Sequence, residues 1–350
     1  MSEKILTIII PSYNMEMYLD RCLSSLIVDD DMMSLFEALI VNDGSKDKTS
    51  EIGHGYETRF PGTYRVIDKE NGHYGSCINR GLEEAKGTFI KVLDADDSFD
   101  TAVFKLYLRY LQQTDVLDGA DAILSGYTSI DVSSQTTKKC RYSLYSSPVS
   151  PNEITSSDRL EWFLHGLTYR TTLLTANQYR QTEGISYTDN EWAFIPMFFV
   201  KRVFKFDGQL YLYSVGREDQ SISASIHTKD LWMETNVAKS LITFYNKNIN
   251  PAHPNKDFLD ERLLIILTHL YQLYLVTYYR PNLDLEPLQD LDTHLKANSP
   301  QLYNETGLYA TRIAGIKFHP IRNWRENKKC YNALQRALYA LAEKITTIKS

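Results

Sequence analysis

Apolar and polar positions fall in alternating blocks along the first hundred residues. Ile5–Ile10 is a continuous β-rich run, which predicts a strand covered on both faces. Pro11-Ser12-Tyr13-Asn14 breaks it, and Tyr18, Leu19, Cys22, Leu23 and Leu26 then recur at helical spacing. Phe36–Val41 reads as a second strand, closed by Asn42-Asp43-Gly44-Ser45, with Asp47 and Thr49 placed to cap the next helix. Tyr64–Ile67 is a third strand. A Gly-rich turn then leads into a helix from about Ser76 to Ala85, Gly87 stops it, and Phe89–Leu93 is a fourth strand. This βαβα order predicts an α/β fold, a mostly parallel sheet flanked by helices.

Beyond Asp97 the pattern is mixed. Ala102–Leu111 is helical, Ala122–Ile130 is a strand, and Ser133–Pro151 reads as a hairpin or flexible excursion. Trp192–Val200 is helical, and Val203–Phe206 and Gln209–Val215 are two short strands joined at Asp207-Gly208. From about Leu231 the signals are helical. The expected division is therefore residues 1–230, in halves 1–100 and 101–230, followed by a helical extension over 231–350. Lys256–Tyr279 carries a broad apolar face. Tyr331–Ile348 is amphipathic, with Lys329, Arg336, Lys344 and Lys349 in or beside it, and suits packing on the first domain, homodimer formation or peripheral contact with an anionic membrane.

Composition narrows the function classes. With 350 residues, 43% apolar and 23% charged, the chain is an ordinary globular protein. A net charge of -6 argues against a nucleic-acid partner. Cys22, Cys77, Cys140 and Cys330 lie far apart with no C-x-x-C, as expected of free thiols in a reducing cytosol. The longest apolar stretch, Leu263–Tyr279, contains Thr268, His269 and Gln272 and falls short of a membrane span, and nothing at the start resembles a signal peptide. A cytoplasmic protein is expected, with peripheral contact at the inner face of the membrane as an option.

Parallel sheets bind ligands at the carboxyl ends of their strands. Here those ends are Pro11-Ser12-Tyr13-Asn14, Asn42-Asp43-Gly44-Ser45, Asp68-Lys69-Glu70-Asn71-Gly72 and Asp94-Ala95-Asp96-Asp97, all of them polar. Three close carboxylates repel one another unless a cation or strong donors sit among them. Mg²⁺ or Mn²⁺ carrying a diphosphate answers that need, because hard cations take oxygen ligands from both protein and phosphate. Neither G-x-G-x-x-G nor G-x-x-x-x-G-K-[ST] follows the first strand, which excludes the commonest dinucleotide and P-loop patterns.

The series Ile8-Ile9-Ile10-Pro11-Ser12-Tyr13-Asn14, Val41-Asn42-Asp43-Gly44-Ser45-Lys46-Asp47, Asn71-Gly72-His73-Tyr74-Gly75-Ser76 and Leu93-Asp94-Ala95-Asp96-Asp97 resembles family 2 glycosyltransferases of the GT-A fold. The likeness covers residues 4 to about 100, and a weaker one runs through Tyr187–Trp192 and Leu210–Tyr213 to Ser221-Ile222-Ser223. It implies inverting transfer of a sugar from a nucleotide diphosphate sugar, commonly a UDP-sugar, to a glycan or lipid-linked acceptor, as in capsular or exopolysaccharide synthesis. By position, Pro11, Tyr13 and Asp43 would hold the nucleoside, with Tyr13 against the base. Gly72, Gly75 and Ser76 would let backbone approach the donor, with Asn79 and Arg80 nearby. Asp94, with Ala95 beside it, would face sugar or ribose hydroxyls, Asp96 would ligate the metal, and Asp97 would support the loop.

Inverting displacement also needs a base for the acceptor hydroxyl. In the family a Glu-Asp pair before a helix supplies it; here Thr188-Asp189 stands there, so the resemblance assigns Asp189, with Glu191 as second candidate. It further suggests Trp192, His165 and Tyr169 on the acceptor side, Arg217 on the diphosphate, and His227 as a further metal ligand. No Q-x-x-R-W occurs, so a processive synthase is not implied. The competing readings are a nucleotidyltransferase, which would want a basic Gly-rich segment after the first strand, and a non-catalytic binding module of the same fold.

Overall fold

The computed structural model describes residues 4–143, 148–217, 220, 224–313 and 316–327, and the chain divides into two compact units, Met1–Gln220 and Ser221–Ser350. The division precedes the helix Ala224–Asn248, whereas the sequence pattern sets it near residue 231, inside that helix.

The first unit is built on a nine-stranded sheet. Its strands are β1 Leu6–Ser12, β2 Phe36–Asn42, β3 Tyr64–Asp68, β4 Phe89–Val92, β5 Ser98–Phe99, β6 Ala122–Asp131, β7 Thr136–Cys140, β8 Leu167–Arg170 and β9 Val203–Val215. The spatial order is β3-β2-β1-β4-β8-β6-β9-β5, with β7 pairing outside β6. β1 is parallel to both β2 and β4, and β2 is parallel to β3. β8 enters antiparallel between β4 and β6, and β9 runs parallel to β6.

β1 and β2 are buried along their whole length, which is why their apolar residues run without a break. Pro11 pairs with Val41, beyond the point where the β1–β4 ladder ends at Ile9 and Val92. A residue without an N–H is tolerated there. The helix Thr101–Leu111 starts at Asp100, whose side chain accepts from the Val103 N–H at 3.1 Å. It buries Phe104, Tyr107, Leu108 and Leu111 against the sheet, each contributing about 1.5–3 kcal/mol.

Two elements differ from the sequence reading. Val203–Val215 is one strand rather than two, because Asp207-Gly208 forms a bulge where the β6–β9 register shifts. The helix at Trp192 is shorter: Asp189–Phe194 is α-helical, and Pro196 accompanies a change to a tighter turn over Ile195–Phe198. The Ser133–Pro151 excursion begins as the β6–β7 hairpin.

The second unit consists of the helices Ala224–Asn248, Lys256–Gln272, Glu286–Asn298, Pro300–Leu308 and Pro320–Asn327, with a small hairpin of Thr311–Ile313 and Ile316–Phe318. Among the described residues no helix is long and apolar enough to cross a membrane. Tyr331–Ile348 and Cys330 lie outside the described residues, while Cys22, Cys77 and Cys140 are buried free thiols.

Candidate active site

Because β1 to β4 are parallel, their carboxyl ends share one edge of the sheet, and each leads into a polar segment. Antiparallel β8 brings its start, next to His165, to that edge, and β6 and β9 bring their ends. Tyr13, Asp43, Asp94–Asp97, His165 and Arg217 are thus gathered from across the first unit.

At the β1–β3 end, Tyr13 is 46% exposed, a large aromatic with a face open to solvent. Asp43 is buried, and its Oδ1 accepts from the Gly72 N–H at 2.9 Å and from Lys69 Nζ. Lys69 also donates to Ser76 Oγ at 2.8 Å, and Ser76 donates to the His73 carbonyl at 2.7 Å. Lys69 thereby links the second strand end to the helix His73–Glu84. The sequence reading missed it, although its position directly after β3 was the available signal.

Gly72 has φ -139°, and the left-handed residue of this turn is His73 at φ 65°. A side chain on Gly75 would lie 2.0 Å from the Thr182 carbonyl oxygen. Gly75 therefore admits the 181–183 segment. Asn79 serves the same segment: its Nδ2 donates to the Gln181 carbonyl at 2.9 Å and its Oδ1 accepts from the Gln181 N–H at 2.8 Å. Arg80 pairs on the surface with Glu84.

The anchored segment positions the candidate base. Glu191 is buried, and its two oxygens accept from the Thr182 N–H at 2.7 Å and the Thr182 hydroxyl at 2.6 Å. It ties the loop to the helix that Asp189 begins. Thr188, not Asp189, occupies the N-cap, and Asp189 is exposed. Tyr187 before them has φ 63°, a backbone state costing on the order of 1–3 kcal/mol for such a residue.

The β4 end holds the acids. Tyr74 donates to Asp94 Oδ1 at 2.7 Å. The Tyr211 hydroxyl accepts from the Asp94 N–H at 3.1 Å and donates to Asp97 Oδ2 at 2.8 Å, while the Ser214 N–H donates to Asp97 Oδ1 at 2.7 Å. Asp97 is thus the brace between this loop and β9. Asp96 is paired with Arg217, whose guanidinium also lies over the Tyr18 ring at 4.3 Å. Burial, then the charge of Asp96, push the Asp94 carboxyl up to about 7, and the Asp189 charge adds to the shift. That effect brings Asp189 into electrical reach of Asp94.

These groups fit a hard divalent cation. One ligand atom each from Asp94, Asp97 and His165 lies within 4.8 Å of the others, and Asp96 adds a carboxylate on the same loop. His165 packs on Tyr213 with ring centroids 4.0 Å apart and on Tyr211 at 4.8 Å. Burial, aided by the Lys91 charge, pushes its pKa down to about 3, so it is a neutral imidazole.

Two acceptor-side candidates belong to the core of the first unit. Trp192 and Tyr169 are both fully buried, stacked edge-to-face at 5.2 Å, with the Tyr169 hydroxyl donating to the Trp192 carbonyl at 3.1 Å. They form core and present no surface to an acceptor. Ala95, within the acidic loop, is buried. His227 belongs to the second unit, where Nδ1 meets the Tyr278 hydroxyl at 3.1 Å and Nε2 meets Glu234, so both ring nitrogens are engaged. Ser221–Ser223 lie outside the described residues.

Residues 7–159 match the family model for glycosyl transferase family 2. An uncharacterized glycosyltransferase EpsJ of Bacillus subtilis is 35% identical over 109 residues, 31% of this chain and 31% of that protein. The chain spans about a third of the length of this and similar curated relatives. Among solved structures, S. aureus TarS 1-349 in complex with UDP-GlcNAc superposes with TM-score 0.54 at 17% identity, over 89% of this chain and 95% of TarS 1-349. The mannosyltransferase PcManGT of Pyrobaculum calidifontis, in complex with GDP-Man and Mn²⁺, gives TM-score 0.52 at 13% identity, over 97% of this chain and 85% of PcManGT.

Proposed function

We propose that the chain, whose residues 7–159 match the family model for glycosyl transferase family 2, is a glycosyltransferase that transfers one sugar, with inversion, from a nucleotide diphosphate sugar to an acceptor hydroxyl. The preferred donor is a UDP-sugar and the acceptor a glycan or lipid-linked glycan at the cell surface. The observation that carries this reading is the convergence of Tyr13, Asp43 and the Asp94–Asp97 loop on one sheet edge, with Asp189 close enough to shift Asp94. TarS with UDP-GlcNAc and PcManGT with GDP-Man and Mn²⁺ supply the precedent for nucleotide-sugar binding on this fold.

In this mechanism Tyr13 stacks on the base and Asp43, held by Lys69 and the Gly72 N–H, reads the nucleobase edge. Asp96, with Asp94, would hold Mg²⁺ or Mn²⁺, and such an ion would supply Lewis-acid stabilisation of the diphosphate. Asp94, kept in place by Tyr74, accepts from donor hydroxyls. Asp189 removes the acceptor proton as its oxygen attacks, an effect worth roughly 10²–10⁴ in rate. The Gly75–Thr182 and Glu191–Thr182 contacts fix the loop that presents it.

The test is UDP, GDP or dTDP release from a panel of nucleotide sugars with Mn²⁺, Mg²⁺ or EDTA, in the presence of a lipid-linked glycan mixture. Metal-dependent release from one donor is expected. Release that persists in EDTA contradicts the metal assignment, and absence of both release and nucleotide binding contradicts the reading as a whole.

A further inference from the structure

We propose that the groove between the helices Ala224–Asn248 and Glu286–Asn298, inside the second unit, is a binding site for an uncharged glycan, with Trp232 as its platform. It adds a site to the functional reading above without depending on it. The groove has a volume of about 440 Å³, within the range of small-ligand clefts.

Its walls are surplus to packing. On the first helix Leu231, Val237, Ala238, Leu241 and Ile242 are buried and hold it in the unit; on the second, Leu288, Leu291 and Leu295 do so. The groove takes other faces. Trp232, Thr235, Asn236 and Lys239 stand at i, i+3, i+4 and i+7 on one helix. Glu286, Gln289, Asp290 and Thr293 repeat that spacing on the other. Trp232 is the one aromatic on either stripe, and it is 41% exposed. The other three tryptophans, Trp162, Trp192 and Trp324, are buried. A lone exposed ring is ordinary on a protein surface. A ring on the wall of a cleft edged by amides and carboxylates has what a sugar requires.

A pyranose presents C–H bonds on its face and hydroxyls around its rim. The electron-rich face of an indole attracts the first. The amides of Asn236 and Gln289 can both donate to and accept from the second, and the carboxylate of Asp284 accepts from them. Asp284 is held for this at the start of the second helix, where its Oδ1 accepts from the Glu286 N–H at 2.9 Å. Lys239 pairs with Asp290 and ties the two walls together. Charge then selects among glycans. Three carboxylates, Asp284, Glu286 and Asp290, stand against the single cation Lys239. That balance disfavours phosphate- or uronate-bearing chains and nucleotides, and leaves an uncharged glycan unopposed. In a transferase the groove would hold a segment of the acceptor other than the sugar that reacts, so its loss would raise KM for long acceptors and leave kcat unchanged.

The experiment titrates the full chain with uncharged tri- and tetrasaccharides of glucose, galactose, mannose and N-acetylhexosamines, by calorimetry and by acrylamide quenching of tryptophan emission. A bound oligosaccharide should shield the exposed Trp232 from acrylamide. Trp232→Ala should weaken binding about tenfold or more in calorimetry. Trp232→Phe, which keeps an aromatic face, should fall between, and Asn236→Ala and Gln289→Ala should each weaken binding less than Trp232→Ala. An oligosaccharide that binds wild type and Trp232→Ala equally sits elsewhere and overturns the proposal, as does a panel of which no member binds. Choline tests the competing occupant: if it protects Trp232 and no oligosaccharide does, the groove is a cation site instead. UDP release from UDP-sugars without acceptor keeps the two readings apart. Equal release by wild type and Trp232→Ala, with glycan binding lost in the variant, supports both; no release by either, with the same loss of glycan binding, leaves this site standing and counts against the functional reading alone.

Discussion

Each unit of this protein contains a shielded arginine–aspartate pair, and the two are surrounded very differently. In the second unit Arg325 Nε donates to Asp292 at 2.7 Å, and Tyr271 donates to the same carboxylate at 2.5 Å. The other Arg325 donors reach the Tyr303 carbonyl at 2.6 Å and the Thr306 hydroxyl at 3.1 Å, and its guanidinium lies over the Tyr303 ring at 3.8 Å. One cation meets one anion, and neutral dipoles and rings fill the rest. In the first unit Arg217 is paired with Asp96, and Asp94 and Asp97 stand on the same loop. There burial, with the charge of Asp96 added to it, pushes the Asp94 carboxyl up to about 7. A saturated pair is what a fold needs to hold itself together. Uncompensated like charge beside a pair is what a site needs to take up a cation.

That contrast is open to direct tests. The largest effect is expected at Asp189→Asn, which should lower transfer by roughly 10²–10⁴ while leaving UDP binding nearly intact. Turnover at the wild-type rate would remove Asp189 from the mechanism. In the second unit Arg325→Met should leave UDP binding unchanged and lower stability by about 3–5 kcal/mol, since it strands a shielded Asp292. Urea unfolding would check it, and unchanged stability would show that the pair is not structural.

A smaller effect concerns Lys91, fully buried on β4, whose Nζ donates to the His165 carbonyl at 2.8 Å and the Leu167 carbonyl at 3.2 Å. Burial pushes its pKa down to about 7 from an ordinary 10.5. Between those two pH values the unfolded chain binds the extra proton, so stability attributable to this group rises with pH. Lys91→Met should abolish that rise, so wild type gains on the variant as pH increases from 7 towards 10; a flat difference would refute the shift. Smallest is Tyr13→Ala, which should weaken UDP binding by about 1–3 kcal/mol through loss of base stacking. Calorimetry would measure it, and unaltered affinity would leave Tyr13 a surface aromatic.

Much of the first unit was legible in the chain. β1, β2 and β4 are short apolar runs ended by polar turns, and being covered on both faces they show little alternation. That the four strand ends converge followed from the βαβα order alone. β8 was not legible, because four residues, Leu-Thr-Tyr-Arg, carry too little pattern, and they become a strand only by filling the gap between β4 and β6. The bulge at Asp207-Gly208 reads locally as a turn, and only pairing with β6 keeps the strand continuous.

The same limit applies to side chains. Asp96 and Arg217 stand 121 positions apart, and no local rule joins them. Trp192 reads as a sugar platform and Tyr169 as an acceptor contact, yet they pack against each other in the core, because an aromatic side chain is also what a core takes. Gly75 and Asn79, which the motif sets near the donor, dock the 181–183 segment. The motifs suggest a set of ligand contacts, whereas several of them hold one part of the site against another.

The most direct test of the account is calorimetric titration of UDP into the full chain with Mn²⁺, with EDTA, and with Mn²⁺ in Asp96→Ala. UDP should bind in Mn²⁺ and lose most of its affinity in both other cases. Equal affinity in EDTA and in Asp96→Ala would mean that the acidic loop is not a metal–nucleotide site.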